Sequence, residues 1–267
     1  MELIEVLGYF GALMVGLVLG LIGGGGSILT VPILVYLIGL NPVIATAYSL
    51  FVVGVTSSIG AFKNYKKGLV DLKTAVIFAI PAFIAVYATR RFLVPIIPDS
   101  VFTLGGFEVT KDIFIMLFFA IIMLLASISM IKTKKNLDSK NIVQEINYNY
   151  PLIVFEGLIV GAITGLVGAG GGFLIIPALV LLVKLPMKKA VGTSLLIIAV
   201  KSLIGFLGDL SNLTIDWKFL LIFTSISIVG IIIGIYTSKF ISGKKLKKGF
   251  GYFTLLMAVY ILYKELF

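Results

Sequence analysis

Lys201 is the residue in this sequence whose position most needs a chemical reason. It stands about twelve positions into an apolar segment, roughly 18 Å from the segment's start if that segment is helical, and no acid lies within a helical turn of it. A charged group inside a bilayer is costly and faces a cavity or a partner. One reading makes Lys201 the counter-charge of an anionic ligand. The other lets its long stem carry the charge out to the interface, and the sequence leaves both open.

A glycine-rich turn, used twice, is the second chemical feature. Residues 20–32 read GLIGGGGSILTVP and residues 165–177 read GLVGAGGGFLIIP. The same offset pairs Ala45 with Ala190, Ser49 with Ser194, Ser57 with Ser202, Gly60 with Gly205 and Asp71 with Asp216. About 20 of roughly 54 aligned positions are identical, the mark of an internal duplication. A helix that starts after such a turn presents about four backbone N–H groups without intrahelical acceptors, at the positive end of its dipole. Glycine lets another backbone or a ligand come close. Two such ends directed at one another near mid-membrane would form an anion site; the plainer reading is that the glycines serve close helix packing. Nucleotide binding is excluded by pattern: G-x-x-x-x-G-K-[ST] is absent, and Phe173 stands where G-x-G-x-x-G needs its last glycine.

Small hydroxyl residues open the third segment of each half, Thr46 and Ser49 in one copy, Thr193 and Ser194 in the other. At helical spacing Ser194, Lys201, Gly205 and Gly208 share a face, as do Ser49, Thr56 and Gly60. Any single hydroxyl there can also bond back to its own preceding turn. The carboxylates, Glu156 apart, fall at segment ends or in loops, so no mid-membrane carboxylate relay is visible. Asp71 and Asp216, each followed two residues later by lysine, read as helix-start residues.

These groups must be held by a membrane fold. Of the 267 residues 60% are hydrophobic and 13% charged, and the mean hydropathy is +1.16; a soluble domain needs about a quarter of its residues charged. The net charge of +10 sits in short clusters between apolar runs, the arrangement of membrane loops rather than of a nucleic-acid groove. Cys and His are absent, which removes disulfides, thiol nucleophiles, zinc sites and imidazole bases. The expectation is no enzyme, no metal and no cofactor. The N-terminus, with Glu2 and Glu5 where a signal peptide would be basic, reads as the start of a retained span.

About ten apolar segments follow, about five per half. They cover residues 6–22, 28–40, 43–62, 72–90 and 112–131, then 152–167, 173–185, 190–207, 217–240 and 249–267. The second of each half has about 13 residues, or roughly 20 Å of helix. If these short segments cross, the lysines of residues 63–73, 132–140, 184–189 and 239–248 collect on one side. Arg90, Arg91, Lys111, Lys218 and Lys264 are then left on the other. If the short segments merely dip in and return, the same charges divide about 10 against 11. The asymmetry of the first count defines a cytoplasmic face and puts both termini outside. An odd number of crossings per half makes the halves inverted-topology repeats. The expected architecture is therefore an all-α integral membrane protein of two such repeats, residues 1–131 and 151–267, with short broken helices after the glycine turns. Residues 132–150 form a cytoplasmic linker, and residues 98–112 an outer polar loop around Gly105 and Gly106.

With its doubled glycine turn followed by Pro32 or Pro177, its Ala190-Val191-Gly192-Thr193-Ser194 stretch and its Ile215-Asp216-Trp217, the chain resembles the TauE/SafE (TSUP) sulfite and organosulfonate exporters over nearly its whole length. The first half departs at Ala45-Thr46-Ala47-Tyr48-Ser49, where the Gly-Thr is lost. The resemblance implies a multi-pass transporter of small sulfur-containing or organic anions in the cell membrane, often exporting. Combined with the residues above, it makes Gly24, Gly25, Gly26, Ser27, Ser49, Thr56, Gly170, Gly171, Gly172, Thr193, Ser194 and Lys201 the candidate substrate-binding set. The expected partners are a small anion and the lipid bilayer, without nucleic acid; a homo-oligomer is compatible with the sequence. The alternative is an exporter of neutral or zwitterionic metabolites with the same inverted-repeat architecture, and a membrane enzyme or assembly factor is a third class.

Overall fold

The structure is a computed structural model that describes residues 3–24, 26–104, 107–131, 150–168, 170–181, 183, 185–210 and 213–266. Residues 132–149 of the linker, Gly25, Gly105 and Gly106 lie outside the described residues. In the first half the chain forms α1 (Leu3–Ile22) and α2 (Ser27–Pro32), the latter continued by a π-helical turn (Ile33–Leu37). Then come α3 (Pro42–Lys66) and α4 (Leu72–Ala88), which runs on through a second π-helical turn (Thr89–Leu93) into α5 (Val94–Ile96), and α6 (Lys111–Ile131). The second half comprises α7 (Tyr150–Val167), α8 (Gly172–Leu181), α9 (Met187–Asp209), α10 (Trp217–Thr237) and α11 (Gly243–Leu266). Among the described residues six helices are long and apolar enough to cross a membrane: α3, α4 with its extension, α6, α7, α9 and α10.

Local chemistry sets the starts. Asn41 caps α3 by accepting from Val43 N at 2.9 Å, with Pro42 in the first turn. The Asp71 and Asp216 carboxylates accept from Thr74 N at 2.8 Å and Phe219 N at 3.1 Å, the helix-start role expected of both. Between α5 and α6 the expected polar loop contains a hairpin, β1 (Ser100–Leu104) antiparallel to β2 (Phe107–Thr110). Val101, Thr103, Val109 and Thr110 are β-branched and suit a pleated ribbon.

Glycines bring the helices together. A methyl on Gly16 or Gly20 of α1 would run into the α10 backbone at Ser227, Ile231 and Gly234, and one on Gly157, Gly161 or Gly165 of α7 would meet Phe78, Ala82 and Thr89 along α4. In both pairs the residue numbers climb together, so the helices run parallel, closely apposed through small residues. α3 and α9 are antiparallel, with Gly54 against Leu203 and Gly60 against Leu195, and α6 packs on α11. Exchanging every helix for its sequence duplicate turns the α1–α10 pair into the α7–α4 pair and leaves α3–α9 and α6–α11 as they are.

The short segment of the first half does not span a full hydrocarbon core. Ile33 lies against Gly11 and Ile38 against Gly8, so α2 and its π-helical turn fold back along α1. The reason is length: about 11 helical residues cover roughly 17 Å, about half a hydrocarbon core of ~30 Å. Because α2 with its π-helical turn runs back to the level of Gly8, the pair of α1 and α2 returns the chain to the end of the bundle from which α1 starts, as two successive crossings would. At one end of the bundle Lys73 lies 5.4 Å over the Tyr150 ring. There, burial first and then repulsion from Lys239 and Lys63 hold the Lys67 ammonium below its ordinary pKa. At the other end Asp216 N donates to the Tyr48 hydroxyl at 2.6 Å, and Tyr36 donates to Glu265 at 2.7 Å.

Candidate functional site

The two glycine turns meet inside the bundle. A methyl on Gly172 would overlap the Cα of Gly24 and stand 2.7 Å from its carbonyl carbon and oxygen. In the second turn Gly168, Gly170 and Gly171 have φ of 68°, 60° and 68°, the left-handed region that penalises a Cβ. Gly171 starts α8: the N–H groups of Leu174 and Ile175 both donate to its carbonyl at 3.0 Å. Those of Gly172 and Phe173 have no acceptor within the helix. Gly26 packs on the backbone of Val15 and Leu19; Ser27 begins α2.

Lys201 of α9 comes up against this turn and does not extend to an interface. Its side chain is fully buried, Nζ donates to Thr164 Oγ1 at 2.6 Å, and a methyl on Gly171 would stand 2.7 Å from Nζ. Thr164 donates onward to the Gly161 carbonyl at 3.3 Å. Among the described residues no carboxylate pairs with this ammonium. A cation thus stands beside the positive end of a helix of 10 residues, and both favour a negative charge next to them. The first half lacks this chemistry: at the duplicate offset Thr56 replaces Lys201 and Leu19 replaces Thr164.

The expected hydroxyls divide into two groups. Ser49 and Thr56, with Ser57 and Ser202, are buried on α3 and α9, and their hydroxyls have no hydrogen-bond partner. The Gly54–Leu203 and Gly60–Leu195 contacts put Thr56 within about a turn of the level of Lys201, and Ser49 near Gly208 and Asp209. Buried hydroxyls left without partners occur where water or a ligand enters. Thr193 and Ser194 are occupied elsewhere, two turns along α9 from Lys201. The Thr193 hydroxyl accepts from Asp71 N at 2.9 Å, and Ser194 donates to Val191 O at 2.8 Å.

Sequence reasoning missed Thr164 and a second charged cluster. Arg90, counted among loop charges, is fully buried in the π-helical turn that extends α4. Its Nε donates to Asp209 Oδ2 at 2.6 Å, a buried ion pair. Nη1 donates to Thr46 Oγ1 at 3.0 Å and to Gly165 O at 3.2 Å, and Nη2 to Val43 O at 3.5 Å. The signal was the apolar run that resumes after Arg91 with Phe92, Leu93 and Val94, which places Arg90 inside a longer helix. Asp209 had seemed a segment end, yet it is buried at the last turn of α9.

Six long apolar helices around a buried cationic site define a helical multi-pass membrane protein of the transporter kind. The comparisons agree and narrow it: the family model "Sulfite exporter TauE/SafE" matches residues 9–261, and the chain belongs to the TauE/SafE family. A "Probable membrane transporter protein" of Xylella fastidiosa is 29% identical over 255 residues, covering 94% of this chain and 92% of the relative. The "Probable membrane transporter protein YunE" of Bacillus subtilis is 32% identical over 236 residues, 78% of this chain and 79% of its own. A third, MJ0441 of Methanocaldococcus jannaschii, is 36% identical over 117 residues, covering 42% and 44%. No solved structure matches the chain.

Proposed function

We propose that this membrane transporter carries a small anion, sulfite or an organosulfonate such as sulfoacetate, and exports it by alternating access. The observation behind this reading is the fully buried Lys201 ammonium, bonded to Thr164 at 2.6 Å and set against the turn that opens α8. An anion there gains a charge-assisted bond from Nζ and the N–H groups of Gly172 and Phe173, and the hydroxyls of Thr56 and Ser202 provide further donors. Residues 1–131 and 151–267 act as inverted repeats whose rocking exposes the site to each side in turn. The exchange of helix pairs under duplication and the opposite-end starts of α1 and α7 support that. In the cell membrane the lysine-rich end faces the cytoplasm and the termini lie outside.

The test is thermal unfolding of the purified protein in sulfite, thiosulfate, sulfoacetate, sulfate and neutral amino acids, beside Lys201→Ala. A ligand at about 100 times its Kd stabilises by about 2.7 kcal/mol, so a substrate shows as a concentration-dependent rise in Tm. A rise with a sulfur oxyanion or sulfonate that Lys201→Ala abolishes supports the reading. A response to neutral solutes alone would transfer the protein to the neutral or zwitterionic class.

A further inference from the structure

We propose that Arg90 is a second anion ligand of the transport site, so that substrates carrying two anionic groups, one for Lys201 and one for Arg90, are preferred. The inference rests on the anion-transport reading above and adds a residue and a selectivity to it.

Position is the first argument. Lys201 donates to Thr164 and Arg90 to Gly165, consecutive residues whose Cα atoms are ~3.8 Å apart. Thr46, another acceptor of Arg90, is also the residue a methyl on Gly168 would strike. The guanidinium and the ammonium therefore flank one structure, the last turn of α7 and the glycine turn after it.

How Arg90 is satisfied is the second argument. Asp209 takes only Nε, while the terminal nitrogens, the fork that pairs best with a carboxylate or tetrahedral oxyanion, bond to three neutral oxygens on Thr46, Gly165 and Val43. Charged acceptors make the stronger bonds to a guanidinium, so an arriving oxyanion displaces neutral ones. Asp209 keeps Nε and acts as a positioning residue that holds the guanidinium plane. The Ser49 hydroxyl, near the level of Asp209, is buried without a partner and can donate to the same oxyanion.

The third argument is asymmetry. At the duplicate offset Ile235 stands for Arg90 and Asn64 for Asp209, and the Asn64 amide bonds to its own helix at Gly60 O. The same helix packing is thus built in the other half without an ion pair. Val43, whose carbonyl takes Nη2, also lines a cleft of about 400 Å³ together with Asn41, Thr110, Lys111 and two carboxylates, Asp99 and Asp112.

Binding constants for sulfoacetate, with two anionic groups, and methanesulfonate, with one, decide the matter on detergent-purified protein. Wild type is expected to bind sulfoacetate about tenfold or more tighter, the worth of one charge-assisted interaction. The double variant Arg90→Gln/Asp209→Asn, which keeps a neutral hydrogen-bonding pair, is expected to bring that ratio to near one by weakening sulfoacetate about tenfold more than methanesulfonate; Lys201→Met weakens both ligands. If the double variant does not fold, Arg90→Lys decides, since it keeps a cation beside Asp209 but loses the fork and must also lower the ratio. An unchanged ratio in the folded double variant or in Arg90→Lys, or no preference for sulfoacetate in wild type, refutes the role of Arg90 and leaves the transport reading standing. Wild type that binds neither of these anions nor sulfite, thiosulfate or sulfate refutes the transport reading itself.

Discussion

Replacing Lys201 by methionine separates a binding group from a structural one, because the two roles predict stability changes of opposite sign. Methionine fills nearly the same volume without the charge. Taking a lysine ammonium out of the centre of a membrane helix relieves about 2.5–3.5 kcal/mol. Against that stands the bond to Thr164 at 2.6 Å, worth about 1.5 kcal/mol as a charge-assisted interaction. Thr164 is not left with an unmet donor, since its hydroxyl still donates to Gly161 O at 3.3 Å. The balance is a ligand-free variant more stable by about 1–2 kcal/mol, and at about 2–4 °C per kcal/mol for a chain of this size its Tm rises by several degrees. The anion-dependent rise of wild type disappears in the same variant. Differential scanning fluorimetry of both proteins, with and without sulfite or sulfoacetate, reads the two effects together. A ligand-free Lys201→Met less stable than wild type would refute the argument, for it would mean that the ammonium holds the α7–α9 contact together.

Thr164→Val leaves Lys201 without its described acceptor and should destabilise by about 1–3 kcal/mol; adding Lys201→Met should recover most of that loss, a non-additivity that a double-mutant cycle measures. Gly172→Ala drives a methyl into the Gly24 backbone and should cost about 1–3 kcal/mol, whereas Gly249→Ala, with nothing within 4 Å in α11, should gain about 0.4–1 kcal/mol. Equal Tm shifts for the two would disprove the contact between the turns. Asp216→Ala removes the cap of α10 and should lower stability by about 0.5–2 kcal/mol while anion affinity stays at the wild-type level; a selective loss of affinity would move Asp216 into the site.

Much of this protein can be read from its residues in order. Hydropathy fixes the bilayer as solvent, because too few charged residues exist to cover a soluble surface. The duplicated glycine turns announce short helices that start within the bundle, since glycine adopts without steric cost the left-handed backbone found at Gly168, Gly170 and Gly171. Asp71 and Asp216 announce helix starts through their side-chain oxygens, a property of local chain geometry alone. Lys201 stood out because an ammonium in an apolar run has an energetic cost that does not depend on its neighbours.

Only the tertiary structure decided who those neighbours are. Thr164 is an unremarkable threonine until α7 and α9 pack and bring its hydroxyl to Nζ. Arg90 and Asp209 lie 119 residues apart, each legible as a boundary charge, and become one buried pair when the π-helical turn continues α4 past the expected end. The fold-back of α2 along α1 was likewise hidden, because it rests on the contacts of Ile33 with Gly11 and Ile38 with Gly8, which neither hydropathy nor charge counting reads. Periodicity and composition report what each segment tolerates along its own axis. Which side chains share one cavity depends on helix rotation and contact across the bundle, and those are settled by packing between segments far apart in the chain.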